Sequence, residues 1–577
     1  MLKYQCEECK IETEGSQCPI CQKRTKVFSQ LYWCDHCNVP LYEETCGACG
    51  AVGKPFTTDI RPVFPQERLL IEVLLGKPLV FINDSVWASG GDRYYVNGKR
   101  IQFSTNQHCH EDAVLVRSEW EKYSEENDYS AFESMVNRFI QANKNREYYI
   151  EDEAMNYIKQ AAVGYDSSSM FVSFSGGKDS TVVSDLVMRG LGKSDILHIF
   201  GNTTLEFPQT LSYVGDFKKR HPHTPLLSAE NREQNFYKLC ESFGPPSRML
   251  RWCCTIFKTG IIGDILKRTF ADEKKILVFN GIRRNESTSR SKYDRDNVSP
   301  KISKQITASP IIDWFDFDIW LYILSRGIEF NYAYRLGYNR VGCWMCPNNN
   351  NWAQFLSRVF LPDESNRFNK ILLDFAKKLG KEDPEEYVKS NGWKARAGGD
   401  GIELSKNVPI DFKPCATDAK SFVYELNKPI SEQMYEFFKP FGILNYEMGN
   451  KRLGEVYVLD AKKNVPIMKL QGRIGTKTLR ITIMSLPIAA RTKTVEVEFK
   501  FKCQITKYQM CVGCHACENA CRFNAIKLLK SGPGEYEYSY FIDESKCKHC
   551  FECINHYDGG CYMRRVLLPR GKDYVKK

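Results

Sequence analysis

The sequence contains no long hydrophobic run. Its most apolar late stretch, Ile481–Ala490, is short and broken by Pro487, well below the ~20 apolar residues that a membrane-spanning helix needs. The opening Met1-Leu-Lys-Tyr-Gln-Cys6 lacks the apolar core of a secretory leader. Both absences argue against a membrane partner and point to the cytoplasm. A strong charge excess is missing too. A net charge of +11 over 577 residues leaves room for an anionic partner such as nucleic acid, and surface lysine explains it equally well. Composition excludes disorder, with 42% hydrophobic and 13% aromatic residues. The length is too great for one core and calls for about three to five domains.

Cysteine, in contrast, is abundant. Disulfides are scarce in the cytoplasm, so the 24 cysteines are expected to be metal ligands. Twenty of them fall into spaced motifs, and only Cys109, Cys240, Cys415 and Cys503 stand outside. Cys6-x-x-Cys9 and Cys18-x-x-Cys21 repeat 28 residues later as Cys34-x-x-Cys37 and Cys46-x-x-Cys49. Four thiolates make a closed zinc ribbon, either within each half, the simpler pairing, or with knuckles exchanged between halves, and units this small need such a staple to fold. Two zinc ions are expected. Such ribbons either grip nucleic acid or a protein partner, or act as a structural cap.

Near the other end, Cys511-x2-Cys514-x2-Cys517-x3-Cys521 is the bacterial ferredoxin run, with Arg522 in place of the usual proline. Cys547-x2-Cys550-x2-Cys553-x7-Cys561 is a looser copy. The fourth cysteine of such runs crosses to the other cluster. Cys511, Cys514, Cys517 and Cys561 are therefore assigned to one [4Fe–4S] cluster, and Cys547, Cys550, Cys553 and Cys521 to the other.

The chemistry centres on Met170-Phe-Val-Ser-Phe-Ser175-Gly176-Gly177-Lys178-Asp179-Ser180-Thr181. An apolar strand runs into a glycine turn, and a helix follows with Val183, Leu186, Val187 and Leu191 on one face. Two glycines let the backbone approach a ligand. The unpaired N–H groups and positive dipole end of the helix suit phosphate. Ser175, Ser180 and Thr181 add hydroxyls, and Lys178 adds charge. Further strands are expected at Ile196–Phe200, Pro225–Leu227 and Ile276–Asn280, giving an α/β core with a mainly parallel sheet. Polar clusters follow these strands, at Asn202–Glu206 and at Gly281-Ile-Arg283-Arg284-Asn-Glu286-Ser287-Thr-Ser-Arg290. Cys253, Cys254, Cys343 and Cys346 offer four thiolates that fit either a [4Fe–4S] cluster or zinc.

The glycine turn is not the GxxxxGK[ST] loop. It resembles the PP-loop of ATP pyrophosphatases. The PP-loop, Arg251-x-Cys253-Cys254-x-x-x-Lys258, the Gly281–Arg290 string, Pro310-Ile-x-Asp-Trp314 with Asp318-x-Trp320, and Arg340-Val-Gly-Cys343-x-x-Cys346-Pro347 together resemble the PAPS reductase family, over roughly residues 166–350. The resemblance implies an adenine-nucleotide-alpha-hydrolase-like core. It implies nucleotide binding by Ser175, Gly176, Gly177, Lys178, Asp179, Ser180 and Thr181, with Glu206, Gly281, Glu286 and Ser287 at the cofactor. Lys178, Asp179, Lys258, Arg283 and Arg290 would be the catalytic contacts. It further implies a third [4Fe–4S] cluster on Cys253, Cys254, Cys343 and Cys346, and Mg2+ with the nucleotide. One departure is the lack of the Glu-Cys-Gly-(Leu/Ile)-His motif that carries the attacking thiol of thioredoxin-dependent reductases. Cys415, in Lys-Pro-Cys-Ala, matches nothing.

The expected layout is a multidomain α/β chain. Residues 1–52 form tandem zinc ribbons and 53–165 a mixed hairpin and helical region, with a turn at Asn97-Gly98. Residues 166–400 form the PP-loop domain, which closes on a linker at Gly398–Gly401. Residues 401–504 form a small α+β domain that reads as a spacer or docking module. Residues 505–577 form the ferredoxin domain. His108-Cys-His110 has no further spaced ligands and reads as surface or core. The expected activity is reduction of APS or PAPS to sulfite, with electrons from an external donor relayed by the ferredoxin domain. The alternatives are ATP-dependent adenylation with sulfur transfer to nucleic acid or a small molecule, as in DNA phosphorothioation enzymes, and a non-catalytic nucleotide or redox sensor.

Overall fold

The apolar segment Met170–Phe174 forms strand β1, and Gly177 starts helix α1, Lys178–Leu191. The computed structural model continues with β2 (Leu197–Asn202), α2 (Pro208–Arg220), β3 (Leu226–Glu230), β4 (Ile276–Phe279), β5 (Asp296–Val298), β6 (Gln305–Ala308) and α3 (Asp316–Ser325). It describes residues 3–568 apart from 7, 14–16, 24, 91–92, 233, 288–289, 299–304, 408–410, 416–419, 486–493 and 533–537. Residues 486–490 of the late apolar run, the first two residues, and Thr288 and Ser289 of the arginine-rich loop thus lie outside the described residues. Among the described residues, no helix is long and apolar enough to cross a membrane.

The central sheet has the order β3-β2-β1-β4-β6-β5. β1 pairs in parallel with β2 and β4, and β4 with β6, while β5 closes the edge antiparallel to β6. Strands covered on both faces read as continuous apolar runs, and all four residues of β4 are buried. Val183, Leu186 and Val187 of α1 are fully buried in the core with Leu277, Phe279, Ile319 and Trp320. The strand order reverses between β1 and β4. In open sheets of this kind that switch point is where ligands bind, at the carboxyl ends of the strands.

The chain divides into two units. The first, Met1–Ala229 with Thr269–Asn366, holds the parallel sheet and both N-terminal four-cysteine groups. Its helices Ala113–Ser124, Ser130–Ala142 and Lys144–Ala161 occupy the region expected to be helical, and Arg93–Val96 pairs with Lys99–Arg100 across Asn97-Gly98. Both turn residues are left-handed, with φ of 48° and 76°, as a tight hairpin requires.

The second unit, Glu230–Arg268 with Arg367–Lys577, contains a six-stranded antiparallel sheet. Its strands are Asp411–Pro414, Ser421–Glu425, Ile443–Asn445, Glu455–Leu459, Pro466–Gln471 and Thr478–Ile483. Helix α4, Thr494–Met510, follows. The sheet is no loose spacer: Val458, Leu470 and Ile481 share one hydrophobic cluster with Phe501, Ile505, Ile526, Tyr540 and Ile554 of the cysteine-rich end. The glycine stretch at 398–401 is packed as well. Gly399 donates its N–H to the Leu568 carbonyl, and a Cβ there would lie 1.8 Å from the Leu567 oxygen.

Candidate functional site

Gly176 adopts φ = 69°, which turns the chain from β1 into α1. A Cβ on it would meet Thr210 at 3.0 Å and Val214 at 3.2 Å of α2. Ser180 staples the turn: its hydroxyl donates to the Gly177 carbonyl at 2.9 Å and accepts the Ser175 N–H at 3.1 Å. The Tyr334 hydroxyl accepts the Lys178 N–H at 3.0 Å. Thr181 points inward, 2.8 Å from the Tyr213 hydroxyl. The serine and threonine hydroxyls therefore shape the cradle itself, while the side chain of Ser175 is exposed at its rim.

Gly281, at the end of β4, sits against the start of α1. A Cβ there would fall 2.7 Å from the Asp179 carbonyl carbon, so no other residue fits. This close approach brings together the charges of two loops. Arg283 donates to Asp179 at 2.6 Å and to Asp316 at 2.8 Å. Lys178 lies 3.2 Å from Asp179 and 3.3 Å from Asp316. Both cations are buried, and the two carboxylates are partly open to solvent. Burial works against charge on both carboxyls, but Arg283 and Lys178 outweigh it and hold them below the usual range. Burial likewise works against the ammonium of Lys178, and Asp179 and Asp316 more than restore it.

Asp59 completes the group from far away in the sequence. Its carboxylate accepts the N–H of Asp316 at 3.1 Å and of Phe317 at 3.0 Å, capping α3. Burial, and then the neighbouring Asp316 charge, push the Asp59 carboxyl up to about 7. Sequence reasoning missed Asp59, Asp316 and Tyr334. Asp316 stands just beyond the Pro310–Trp314 string at the start of an apolar helix, which is a readable cap signal. Nothing local marks Asp59.

The remaining loops close around the same strand ends. Arg284 pairs with Asp313, and Arg290 pairs with Glu286. The Ser287 hydroxyl accepts the Arg290 N–H at 3.3 Å. Burial, and then the nearby Arg340 guanidinium, lower the affinity of Arg290 for its proton. Two neighbouring guanidiniums favour an anion between them. After β2, Thr203 donates to Glu206 at 2.8 Å and lies 3.3 Å from the Cys343 sulfur, and Glu206 pairs with Cys343 as an isolated bridge.

The four middle cysteines are divided. Cys343 and Cys346 belong to the first unit, and Cys253 and Cys254 to the second, with Lys258. Trp252–Cys254 is a short helical turn that widens into a π-type turn at Thr255–Thr259, a distortion common at functional sites. The following helix packs on the ferredoxin-like run. Asn519 donates to the Gly260 carbonyl at 3.2 Å, Lys267 to the Glu518 carbonyl at 2.5 Å, and Gln234 to the Val512 carbonyl at 3.2 Å.

In that run the two CxxCxxC segments share one backbone course. Gly513 and His549, and then His515 and Phe551, all take left-handed φ. Cys521 lines a cavity with Cys547, Cys550 and Cys553, walled by Phe523, Ile526, Ile542 and Phe551. Thiolates and apolar walls are the donor set of an iron–sulfur cluster. Cys561 lies among the other three, within electrostatic reach of Cys511, Cys514 and Cys517.

At the N-terminus the sulfurs of Cys6, Cys9, Cys18 and Cys21 form one tight group, and those of Cys34, Cys37, Cys46 and Cys49 another, each within 4.8 Å. Sulfur separations of 3.5, 3.6 and 3.7 Å match a tetrahedron of Zn–S bonds of about 2.3 Å. The knuckles repeat in detail: Cys6, Cys18, Cys34 and Cys46 each accept an N–H four residues on, from the left-handed Lys10, Gln22, Asn38 and Gly50. The second group is enclosed on three of its four cysteines, with Cys49 exposed. Cys34, Cys37 and Cys46 are buried with Trp33, Leu41, Phe139 and Phe317. Arg146 stacks on Tyr42 and forks onto Asp318 at 2.8 and 3.0 Å. His108, in turn, stacks on Phe103 beside the buried Cys109.

Residues 169–349 match the phosphoadenosine phosphosulfate reductase domain, and residues 510–556 match a 4Fe-4S dicluster domain. The chain thus carries a PAPS-reductase-family domain together with a two-cluster ferredoxin domain. Two uncharacterized proteins of Methanocaldococcus jannaschii are each 31% identical, over 48% and 43% of this chain. The matches span 55% and 58% of those relatives, a little over half their length. An adenosine 5'-phosphosulfate reductase of Geobacillus kaustophilus is 26% identical over 30% of this chain and 69% of its own. Among solved structures, PAPS reductase from Candida auris is similar at 15% identity with a TM-score of 0.28, covering 35% of this chain and 97% of that one.

Proposed function

We propose that the protein is an iron–sulfur enzyme that binds an adenylyl sulfate, APS or PAPS, and reduces its sulfate group to sulfite with an electron pair drawn through its own dicluster domain, releasing AMP from APS or adenosine 3',5'-bisphosphate from PAPS. The observation that carries this reading is the contact of Gly281 with Asp179 at the switch point. It assembles Lys178, Arg283, Asp179 and Asp316 beside a glycine turn in a chain that also matches a dicluster domain. In this reading Ser175–Thr181 and the N-terminus of α1 hold the phosphates, with Glu206, Gly281, Glu286 and Ser287 around the nucleotide. Lys178, Arg283, Arg290 and Lys258 neutralise the anionic groups. Asp179 and Asp316 keep the two buried cations aimed and offer carboxylate oxygens to Mg2+.

The two N-terminal groups would hold zinc. The crossed sets Cys511, Cys514, Cys517, Cys561 and Cys547, Cys550, Cys553, Cys521 would hold two cubanes, and Cys253, Cys254, Cys343 and Cys346 a third. Bound clusters supply electrons one at a time from an external donor. The enclosure of the second ribbon favours a structural role for it, which leaves the first as the one able to meet nucleic acid or a protein.

The intact Ser175-Gly-Gly-Lys-Asp-Ser180 turn favours a second reading, ATP-dependent adenylation followed by sulfur transfer. Anaerobic protein incubated separately with ATP, APS and PAPS separates the two. Sulfite from APS or PAPS supports reduction. AMP and pyrophosphate from ATP replace it with transfer. Neither product refutes both and leaves a sensor.

A further inference from the structure

Lys507 lies near the end of α4, inside the ferredoxin-like domain, and is 1% exposed. Its ammonium donates to the Cys553 carbonyl at 2.8 Å. Among the described residues it forms no ion pair with a carboxylate. Every charge that acts on it most strongly is a cysteine: Cys517, Cys553, Cys561 and Cys503. Cys517 and Cys561 belong to one proposed ligand set and Cys553 to the other, so the ammonium sits between the two. Other nearby cations are differently placed. Lys428 is exposed and reaches Cys511 alone among the cysteines, Lys267 is tied to the Glu518 carbonyl, and Lys527 and His515 pair with the Glu518 carboxylate.

A buried ammonium without a counter-ion is expensive, and folded proteins keep one only where a negative charge answers it. Four thiolates make each cubane anionic, and each becomes more so when it accepts an electron. A cation fixed in a low dielectric between two such groups favours the reduced form of both.

We propose that Lys507 is the shared counter-charge of the two clusters and a positioning residue for electron flow, raising the reduction potential of each. This rests on the dicluster reading of residues 510–556. The test uses full-length, cluster-loaded Lys507→Gln, which keeps an N–H for the Cys553 carbonyl and removes the charge. Iron content is measured in the same samples. A potentiometric titration then follows the spin-coupled signal of two reduced clusters in one domain. Both potentials are expected to fall below those of the wild type, and Lys507→Arg is expected to keep them near it. Iron bound with either potential unmoved overturns the proposal, whereas a wild type without the iron overturns the dicluster reading instead. Lys507→Met fills the same space without the amide and decides the matter if the glutamine variant fails to load.

Discussion

Two neighbouring residues show how chemistry and stability meet in this site. Lys178 and Arg283 are both needed to balance Asp179 and Asp316. Lys178→Ala is expected to lower turnover about 10²–10³-fold, as loss of one electrostatic stabiliser does. It should also lower the melting temperature, because two half-buried carboxylates are left with a single cation; steady-state rates and thermal melts check both. Gly281→Ala forces a Cβ into the Asp179 backbone. It should cost about 1–3 kcal/mol in a denaturant titration and weaken nucleotide binding. Asp59 carries a pH signature. Its carboxyl is raised, to about 7, so between the unfolded value of about 4 and 7 the folded chain holds a proton that the unfolded chain has released. Stability from this group is present below that window and is lost as pH rises through it. Asp59→Asn should therefore match the wild type below pH about 4 and melt higher above pH about 7.

Among the elements, those with strong local signals were legible in the sequence. β1, α1 and the Asn97-Gly98 hairpin follow from an apolar run, a 3.6-residue period and two residues that tolerate positive φ. β5 was not legible. Asp296–Val298 is short and polar and becomes a strand only because the edge of β6 is free to pair. The same holds for Asp411–Pro414, whose order depends on Ser421–Glu425. Of the site, the motif residues could be read, whereas Asp59 and Tyr334 join it through tertiary contact alone. The ribbons also differ as elements. Cys46 is packed with Phe139 and Phe317, while the described residues around the first group form the short strands Lys3–Gln5, Glu12–Thr13 and Lys26–Phe28. Cys46→Ser should lower the melting transition of the first unit, whereas Cys18→Ser should release zinc with little change in it. Zinc assay and calorimetry on both variants check this.

At the scale of the whole molecule, the chain order and the division into units do not coincide. The PAPS-reductase-like segment at 169–349 is interrupted, and its Glu230–Arg268 stretch joins the unit that holds the dicluster domain. Cys253, Cys254 and Lys258 travel with it. The two cysteine pairs of the middle of the chain therefore fall in different units. Anaerobically purified protein should contain about two zinc and about twelve iron atoms per chain. The most direct measurement is a single turnover. The protein is reduced, freed of reductant, and mixed with APS or PAPS labelled in the sulfate group. The account predicts labelled sulfite formed at the expense of the reduced-cluster signal. A signal that stays constant while no sulfite appears would contradict it.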